Sequence, residues 1–269
     1  QYKRIRDSYD AGVLTGKRTD YWGSLARTEA AGYGLLYFVQ DMLAAKGIDL
    51  AGKTIVVSGA GNVAIYAIEK AQEFGAKVVT CSDSNGYIYD PDGISGDKID
   101  YMLELRSSGN DICAPYAEKY PNAKFFAGRK PWEVKVDIAM PCATQNELNE
   151  NDAKALVANG VKCVAEVSNM GCTAEAIDYF IAQKTPFAPG KAVNSGGVAT
   201  SGLEMTQNAM HIYWSAEEVD ERLHAIMKDV HEQCLAYGKQ ADGYINYVRG
   251  ANIAGFMKVA NAMIGQGII

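Results

Sequence analysis

The sequence predicts an α/β protein: a doubly wound, mostly parallel sheet with additional C-terminal helices. Three observations predict it. Short, nearly all-apolar runs rich in β-branched residues alternate with helical periodicity from about Lys53 to Gly197. The first of these runs enters a glycine-rich turn that opens a helix. After Gly197 the strand signals stop and long helical patterns take over. Strand, helix and strand in alternation bury parallel strands on both faces.

The 269 residues are 48% hydrophobic and 22% charged, which suits an ordinary globular chain with a sizeable core. A net charge of -6 and a pI near 5.2 repel phosphate backbones and anionic lipid, arguing against nucleic-acid and membrane partners. The basic positions Lys3, Arg4, Arg6, Lys17 and Arg18 read as a solvated edge without a function. Cys81, Cys113, Cys142, Cys163, Cys172 and Cys234 form no C-x-x-C pair, and several sit in apolar runs. They are expected as reduced core thiols of a cytoplasmic protein. Neither a signal peptide nor a long apolar span is visible, so export and anchoring are not expected.

Residues 1–23 are polar and irregular, and "AGVLTGKRTDYWGS" has the look of a connector; residues 24–269 form the domain proper. "EAAGYGLLYFVQDMLAAK", Glu29 to Lys46, carries helical spacing and stops at Gly47. "KTIVVSG" predicts a buried strand, "NVAIYAIEKAQEFG" a helix and "AKVVTCS" a second strand, a βαβ unit. Further strands are expected at "VDIAMP", "VKCVAEV" and "PFAPG", with helices at Asn151 to Asn159 and Thr173 to Gln183. "ATSGLEMTQNAM", "SAEEVDERLHAIMKDVHEQCLAY" and "NYVRGANIAGFMKVANAMIGQG" are the C-terminal helices.

"SGAGNVA", Ser58 to Ala64, is G-x-G-x-x-A between a strand and a helix, the context that a Rossmann-like dinucleotide fingerprint requires. Gly59 permits the tight turn, Gly61 lets backbone approach a pyrophosphate, and Ala64 keeps helix and strand close. The helix N-terminus offers free N–H groups to the diphosphate. A ligand-free turn would use the same glycines; the flanking strand and helix favour a nucleotide. Asp83 follows at the end of the second strand, where an acid reads the adenosine ribose, although Asp and Ser also suit a plain turn. "PCATQNELN", "AEVSNMG" and "APGKAVNSGGVATSGLEM" follow later strands at the carboxyl edge, where open sheets hold ligands. His211, His224 and His231 lie in the helical third with no third ligand for a metal, so ordinary packing roles are expected.

At these loops the sequence resembles a known family. "RTEAAGYG", "GAGNVA", "PCATQNEL", "VNSGGVATSGLEM" and "YVRGANIAGF", in order from about Trp22 to the C-terminus, are similar to the cofactor half of hexameric glutamate dehydrogenase of the small-subunit microbial type. The resemblance implies reversible oxidative deamination of L-glutamate to 2-oxoglutarate and ammonium, with a nicotinamide as hydride carrier. It also implies that the catalytic lysine and aspartate belong to a preceding domain, because nothing like that glycine-rich lysine stretch occurs here. The expected chain is a cofactor domain inactive by itself, a monomer or weak dimer, from a homohexameric parent.

Carried over by this resemblance, Arg27 lies near the nicotinamide side of the cleft. Gly59, Gly61, Asn62 and Val63 meet the diphosphate and ribose, and Ala143, Thr144 and Asn169 line the nicotinamide ribose. Asn194, Val198 and Ser201 face the substrate, with Ser201 giving a hydroxyl to the distal carboxylate. Two positions depart from the family pattern: Ala31 stands where a threonine holds the carboxamide, and Gly171 where a proline is usual. Family members using NAD tend to carry a Gly-Pro-Asp turn at Asp83, whereas those using NADP often read S-D-S-S-G, closer to "SDSNG". Ser84 and Arg106 are the expected partners of a 2′-phosphate, although Arg106 also fits a solvated helix face. Two charge-assisted hydrogen bonds at about 1.5 to 3 kcal/mol each outweigh the repulsion of one acid and set the expectation at NADP over NAD. The alternatives are another amino-acid dehydrogenase using NAD and a non-catalytic nucleotide-binding module.

Overall fold

A computed structural model describes residues 1–267. Its strands are β1 (Thr54–Val57), β2 (Lys77–Val78), β3 (Thr80–Asp83), β4 (Gly86–Tyr89), β5 (Lys124–Ala127), β6 (Ile138–Met140), β7 (Cys163–Ala165) and β8 (Phe187–Ala188). Its helices are α1 (Tyr2–Arg6), α2 (Ala30–Ala44), α3 (Asn62–Glu73), α4 (Asp97–Ser107), α5 (Cys113–Lys119), α6 (Glu150–Ala158), α7 (Ala174–Ala182), α8 (Gly190–Val193), α9 (Ser195–Met210), α10 (Ala216–Gly238) and α11 (Tyr247–Gln266). Five strands form a parallel sheet in the order β2-β1-β6-β7-β8, and β3-β4-β5 form a separate antiparallel sheet.

Both faces of the parallel sheet are buried, which explains the continuous apolar runs. Ile55, Val57, Met140 and Ala165 join a core with Leu35 and Phe38 of α2, Ile65 and Ile68 of α3 and Leu223 and Met227 of α10. The alternate residues Val56, Ala139 and Val164 face a second core with Leu156 of α6 and Phe180 of α7. A two-residue period thus sorts each strand between two helical layers. All six cysteines are buried and free.

The expected second strand divides. Lys77 and Val78 pair with β1, and from Thr80 the chain turns into the antiparallel sheet. Hydroxyls make this possible by standing in for the missing ladder. Thr80 Oγ1 accepts the Val57 N–H at 3.0 Å and donates to the Val57 carbonyl at 2.9 Å. Ser82 Oγ accepts the Gly59 N–H at 2.7 Å. Asn85-Gly86 before the alternating "GYIY" is a hairpin signal in the sequence, and the turn expected after Asp83 opens that hairpin.

Lys17 corrects the reading of the basic N-terminal positions as a solvated edge. Its ammonium lies 2.5 Å from Glu204, a carboxylate wholly buried on α9. At the other end, α10 packs on α2 and α11, while Phe256, Val259, Met263 and Ile264 of α11 are exposed.

His231 is buried on α10 with Nε2 3.1 Å from the Tyr247 hydroxyl and its ring edge-on to Phe38. Burial lowers its pKa from the ordinary 6.5, against the pull of Asp41 and Glu232. The unfolded chain therefore binds the proton first as pH falls, so the stability held above that ordinary value is lost through the lowered folded value. Heat denaturation should give a midpoint that drops between about pH 7 and 5. His231→Gln should show a shallower drop; an unchanged slope would mean that the ring titrates freely.

Candidate functional site

The loops at the carboxyl ends of β1, β6, β7 and β8 meet along one edge of the parallel sheet, and two clefts open there. The first, about 550 Å³, is lined by Gly59, Gly61, Asp83, Ser84, Arg106, Ala143 and Thr144, so seven of the expected nucleotide residues are brought together. Gly59 has φ +81°, and a Cβ on it would stand 3.1 Å from Ala143 Cα and 3.2 Å from the Cys142 carbonyl. Gly61 is the N-cap of α3, and no side chain caps that helix. The exposed end of the helix dipole and its unpaired N–H groups suit an anion. A Cβ on Gly61 would meet only Arg106 Nη1 at 3.8 Å, so the approach is open.

Arg106 reaches from α4 to this turn and donates from Nε to Asn62 Oδ1 at 2.7 Å. Val63 packs its side chain against the core, leaving only its backbone for a ligand. Asp83 is more heavily engaged than a free ribose reader. Oδ1 accepts the Asn85 N–H at 2.9 Å, and Oδ2 accepts Cys113 N–H at 2.9 Å and Ile112 N–H at 3.3 Å. Those bonds fix the turn and the start of α5, and they spread the carboxylate's charge over backbone dipoles. Ser84 remains exposed at the mouth.

The cleft also holds residues that sequence reasoning missed. Gly128 N–H donates to the Asn85 carbonyl at 2.7 Å, bringing Arg129 and Lys130 to the Ser84 side. Lys130 Nζ donates to the Glu147 carbonyl at 2.5 Å. Glu147 itself is buried and accepts the Ala143 N–H at 3.0 Å on Oε1. Burial pushes its carboxyl above the usual range, against the hydrogen bond from Ser58 and the backbone at Ala143 and Thr144. The only sequence signal for it was its place inside "PCATQNEL".

The second cleft, about 520 Å³, collects Arg27, Ala31, Asn194, Val198 and Ser201, together with Thr15, which sequence reasoning did not select. Arg27 Nε donates to Ser201 Oγ at 3.0 Å. Asn194 Nδ2 donates to the Val167 carbonyl at 2.5 Å and to Asn169 Oδ1 at 3.0 Å, so Asn169 reaches the site through Asn194. Val198 is exposed at the mouth. Among the described residues the lining contains one cation and no lysine, histidine or carboxylate. At the departure Gly171, Ser168 Oγ stands only 2.3 Å from where a Cβ would lie, so the loop is packed around the missing side chain. Among the described residues no His, Cys, Asp or Glu cluster could hold a metal, and no helix is long and apolar enough to cross a membrane.

Strand, glycine turn, uncapped helix and convergent carboxyl-edge loops define a Rossmann-like domain of the kind that seats a dinucleotide. The family model for Glutamate/Leucine/Phenylalanine/Valine dehydrogenase matches residues 23–267, and the chain belongs to that family. It is 67% identical over 268 residues to an NAD-specific glutamate dehydrogenase of Bacteroides fragilis, covering 100% of this chain and 60% of the relative. It is 53% identical to an NADP-specific glutamate dehydrogenase of Haemophilus influenzae, covering 99% of this chain and again 60% of the relative. A solved glutamate dehydrogenase superposes with a TM-score of 0.95 at 49% identity, over 100% of this chain and 60% of that one. The chain thus spans about 60% of the length of the curated relatives it matches.

Proposed function

We propose that this chain is the nicotinamide-nucleotide-binding part of a glutamate dehydrogenase, whose whole protein interconverts L-glutamate with 2-oxoglutarate and ammonium. The observation that carries the reading is one sheet edge presenting an uncapped helix N-terminus beside a cleft whose cation, Arg27, is paired with a hydroxyl. When bound, the nicotinamide accepts or donates the hydride at C4. The α3 N–H groups hold the diphosphate, with Asn62 keeping Arg106 beside them. Ala143, Thr144 and Asn169 line the nicotinamide ribose. Ser201 gives its hydroxyl to the distal carboxylate of the substrate, Arg27 stands on the nicotinamide side bonded to that hydroxyl, and Asn194 and Val198 bound the substrate. Ala31 offers no hydroxyl to the carboxamide, so orientation falls to the remaining walls.

Among the described residues the second cleft has no carboxylate, histidine or lysine, which supports placing proton transfer on groups outside this chain. The chain by itself binds nucleotide without turnover. Residues 1–23 link it to a substrate domain, the parent is a cytoplasmic homohexamer, and the isolated chain is a monomer or weak dimer. The exposed apolar residues of α11 fit a surface made for a further partner.

The cofactor in this reading is NADP, with NAD less favoured. Ser84 and Arg106 offer a 2′-phosphate a hydroxyl and a guanidinium, Arg129 and Lys130 add positive charge, and Asp83 is already bonded to backbone. NAD as the main cofactor is the second reading, favoured by the name of the more identical relative. Calorimetric titration of the chain should show NADPH binding roughly ten-fold tighter than NADH, and Arg106→Ala should erase the difference. Tighter NADH binding selects the second reading. Binding of neither, or full glutamate turnover by the chain alone, overturns the proposal.

A further inference from the structure

One face of α9 is polar and yet buried: Ser201, Glu204, Gln207 and Asn208 are all 9% exposed or less. Each clamps the segment that leads into α2. Ser201 Oγ accepts from Arg27, Gln207 Nε2 donates to Ser24 Oγ at 2.8 Å, and Asn208 Nδ2 donates to the Trp22 carbonyl at 2.7 Å. Glu204 is the only charged member and is wholly buried. Its Oε2 accepts the Gly16 N–H at 2.8 Å, and its Oε1 takes the Lys17 ammonium at 2.5 Å and the Lys17 N–H at 3.4 Å. Lys17 Nζ also donates to the Leu14 carbonyl at 2.5 Å, which closes the bend from Leu14 to Lys17 around the ion pair. Thr15, at that bend, lines the second cleft with Ser201 and Arg27.

We propose that Glu204 is a positioning residue for the substrate cleft: it locks the Leu14 to Lys17 bend onto α9 one turn beyond Ser201, and so fixes the gap that receives the substrate carboxylate. The inference rests on the reading of that cleft as the glutamate site. A buried ion pair is a poor device for stability alone, because well-packed apolar residues of similar size serve as well. What the pair does supply is a single register of the strap along the helix, and therefore one separation between Thr15, Arg27 and Ser201. Glu204 touches no substrate atom in this account; it acts through the strap and the helix it joins.

The test uses the full-length enzyme carrying either Glu204→Gln or the apolar pair Lys17→Met with Glu204→Leu. The pair guards against mere unfolding, since it leaves no unmatched buried charge. Both variants should raise KM for glutamate roughly ten-fold while kcat stays within about three-fold, the pattern of lost uniform binding. NADPH affinity, measured by titration, should be unchanged in both, and the apolar pair should melt near the wild-type temperature. A folded variant with KM within about two-fold of wild type overturns the inference. If the wild-type enzyme oxidises a different amino acid, the substrate reading fails and the KM for that amino acid tests Glu204 instead. A wild-type enzyme that oxidises no amino acid overturns both.

Discussion

Gly59→Ala is expected to weaken nucleotide binding at least about 100-fold and the fold by about 2 to 3 kcal/mol. Two costs combine. At φ +81° a Cβ meets its own backbone, at about 1 to 2 kcal/mol. The new methyl also lands 3.1 Å from Ala143 Cα and 3.2 Å from the Cys142 carbonyl, atoms of a backbone that Glu147 holds in place through the Ala143 N–H. Relief requires the β6 loop to move outward or the Gly59 N–H to leave Ser82 Oγ. Either movement spoils the cradle at the start of α3. For a chain of this size the melting midpoint should fall by roughly 4 to 12 °C. Titration should show NADPH affinity reduced at least about 100-fold, since the diphosphate loses several N–H contacts at once.

Gly61→Ala is the informative contrast. Its Cβ meets only the flexible end of Arg106, so stability should hardly change, whereas the methyl would stand where the diphosphate approaches. Loss of affinity without loss of stability at Gly61, and loss of both at Gly59, would separate the two glycines' duties. Undiminished NADPH binding by a folded Gly59→Ala protein would remove this turn from the site.

The parallel sheet was legible because its central strands obey one rule. These are short, apolar on both sides and followed by helical spacing, and Thr54–Val57 with Asn62–Glu73 appear where that rule puts them, whereas the edge strand Lys77–Val78 is half exposed and runs into β3. The antiparallel sheet was not legible for a physical reason. Thr80 and Ser82 replace ladder hydrogen bonds with hydroxyls, so the chain leaves one sheet for another without a break in its apolar pattern. Periodicity cannot see that exchange.

In the candidate site, Gly59 and Gly61 followed from local motif and context. Arg27 and Ser201 lie 174 positions apart, and only the family resemblance joined them before the 3.0 Å contact did. Lys17 shows the opposite failure. Its neighbours along the chain are polar, so composition placed it in water, and its partner Glu204 lies 187 positions away. Long-range ion pairs leave no trace in a local window. Asp83 was found by position and its bond from the Asn85 N–H suits the turn expected there, yet its two long-range backbone bonds were not foreseeable, because Cys113 and Ile112 arrive from a helix that local reading did not mark.

Gly250→Ala is expected to have the largest effect on stability of any single methyl in the C-terminal helices. A Cβ there would lie 2.0 Å from the Cys234 carbonyl oxygen and 2.8 Å from its carbon, closer than non-bonded atoms stand. The obstacle is the backbone of α10, not a side chain that could rotate away. Gly238 meets the other helix in the same way, with its Cβ position 2.6 Å from the Asn246 carbonyl oxygen, so α10 and α11 touch backbone to backbone at two points. To admit one methyl the helices must part, which uncovers Cys234 and Tyr247 and strains the His231 to Tyr247 contact. Overpacking of this kind costs about 3 kcal/mol, or a fall of roughly 6 to 12 °C in the melting midpoint. The nucleotide cleft lies on other elements, so NADPH affinity measured well below the new midpoint should be preserved. Amide exchange should show faster opening confined to α11 and the end of α10. Unaltered exchange and melting would mean that the two helices have room between them, contrary to the 2.0 Å approach.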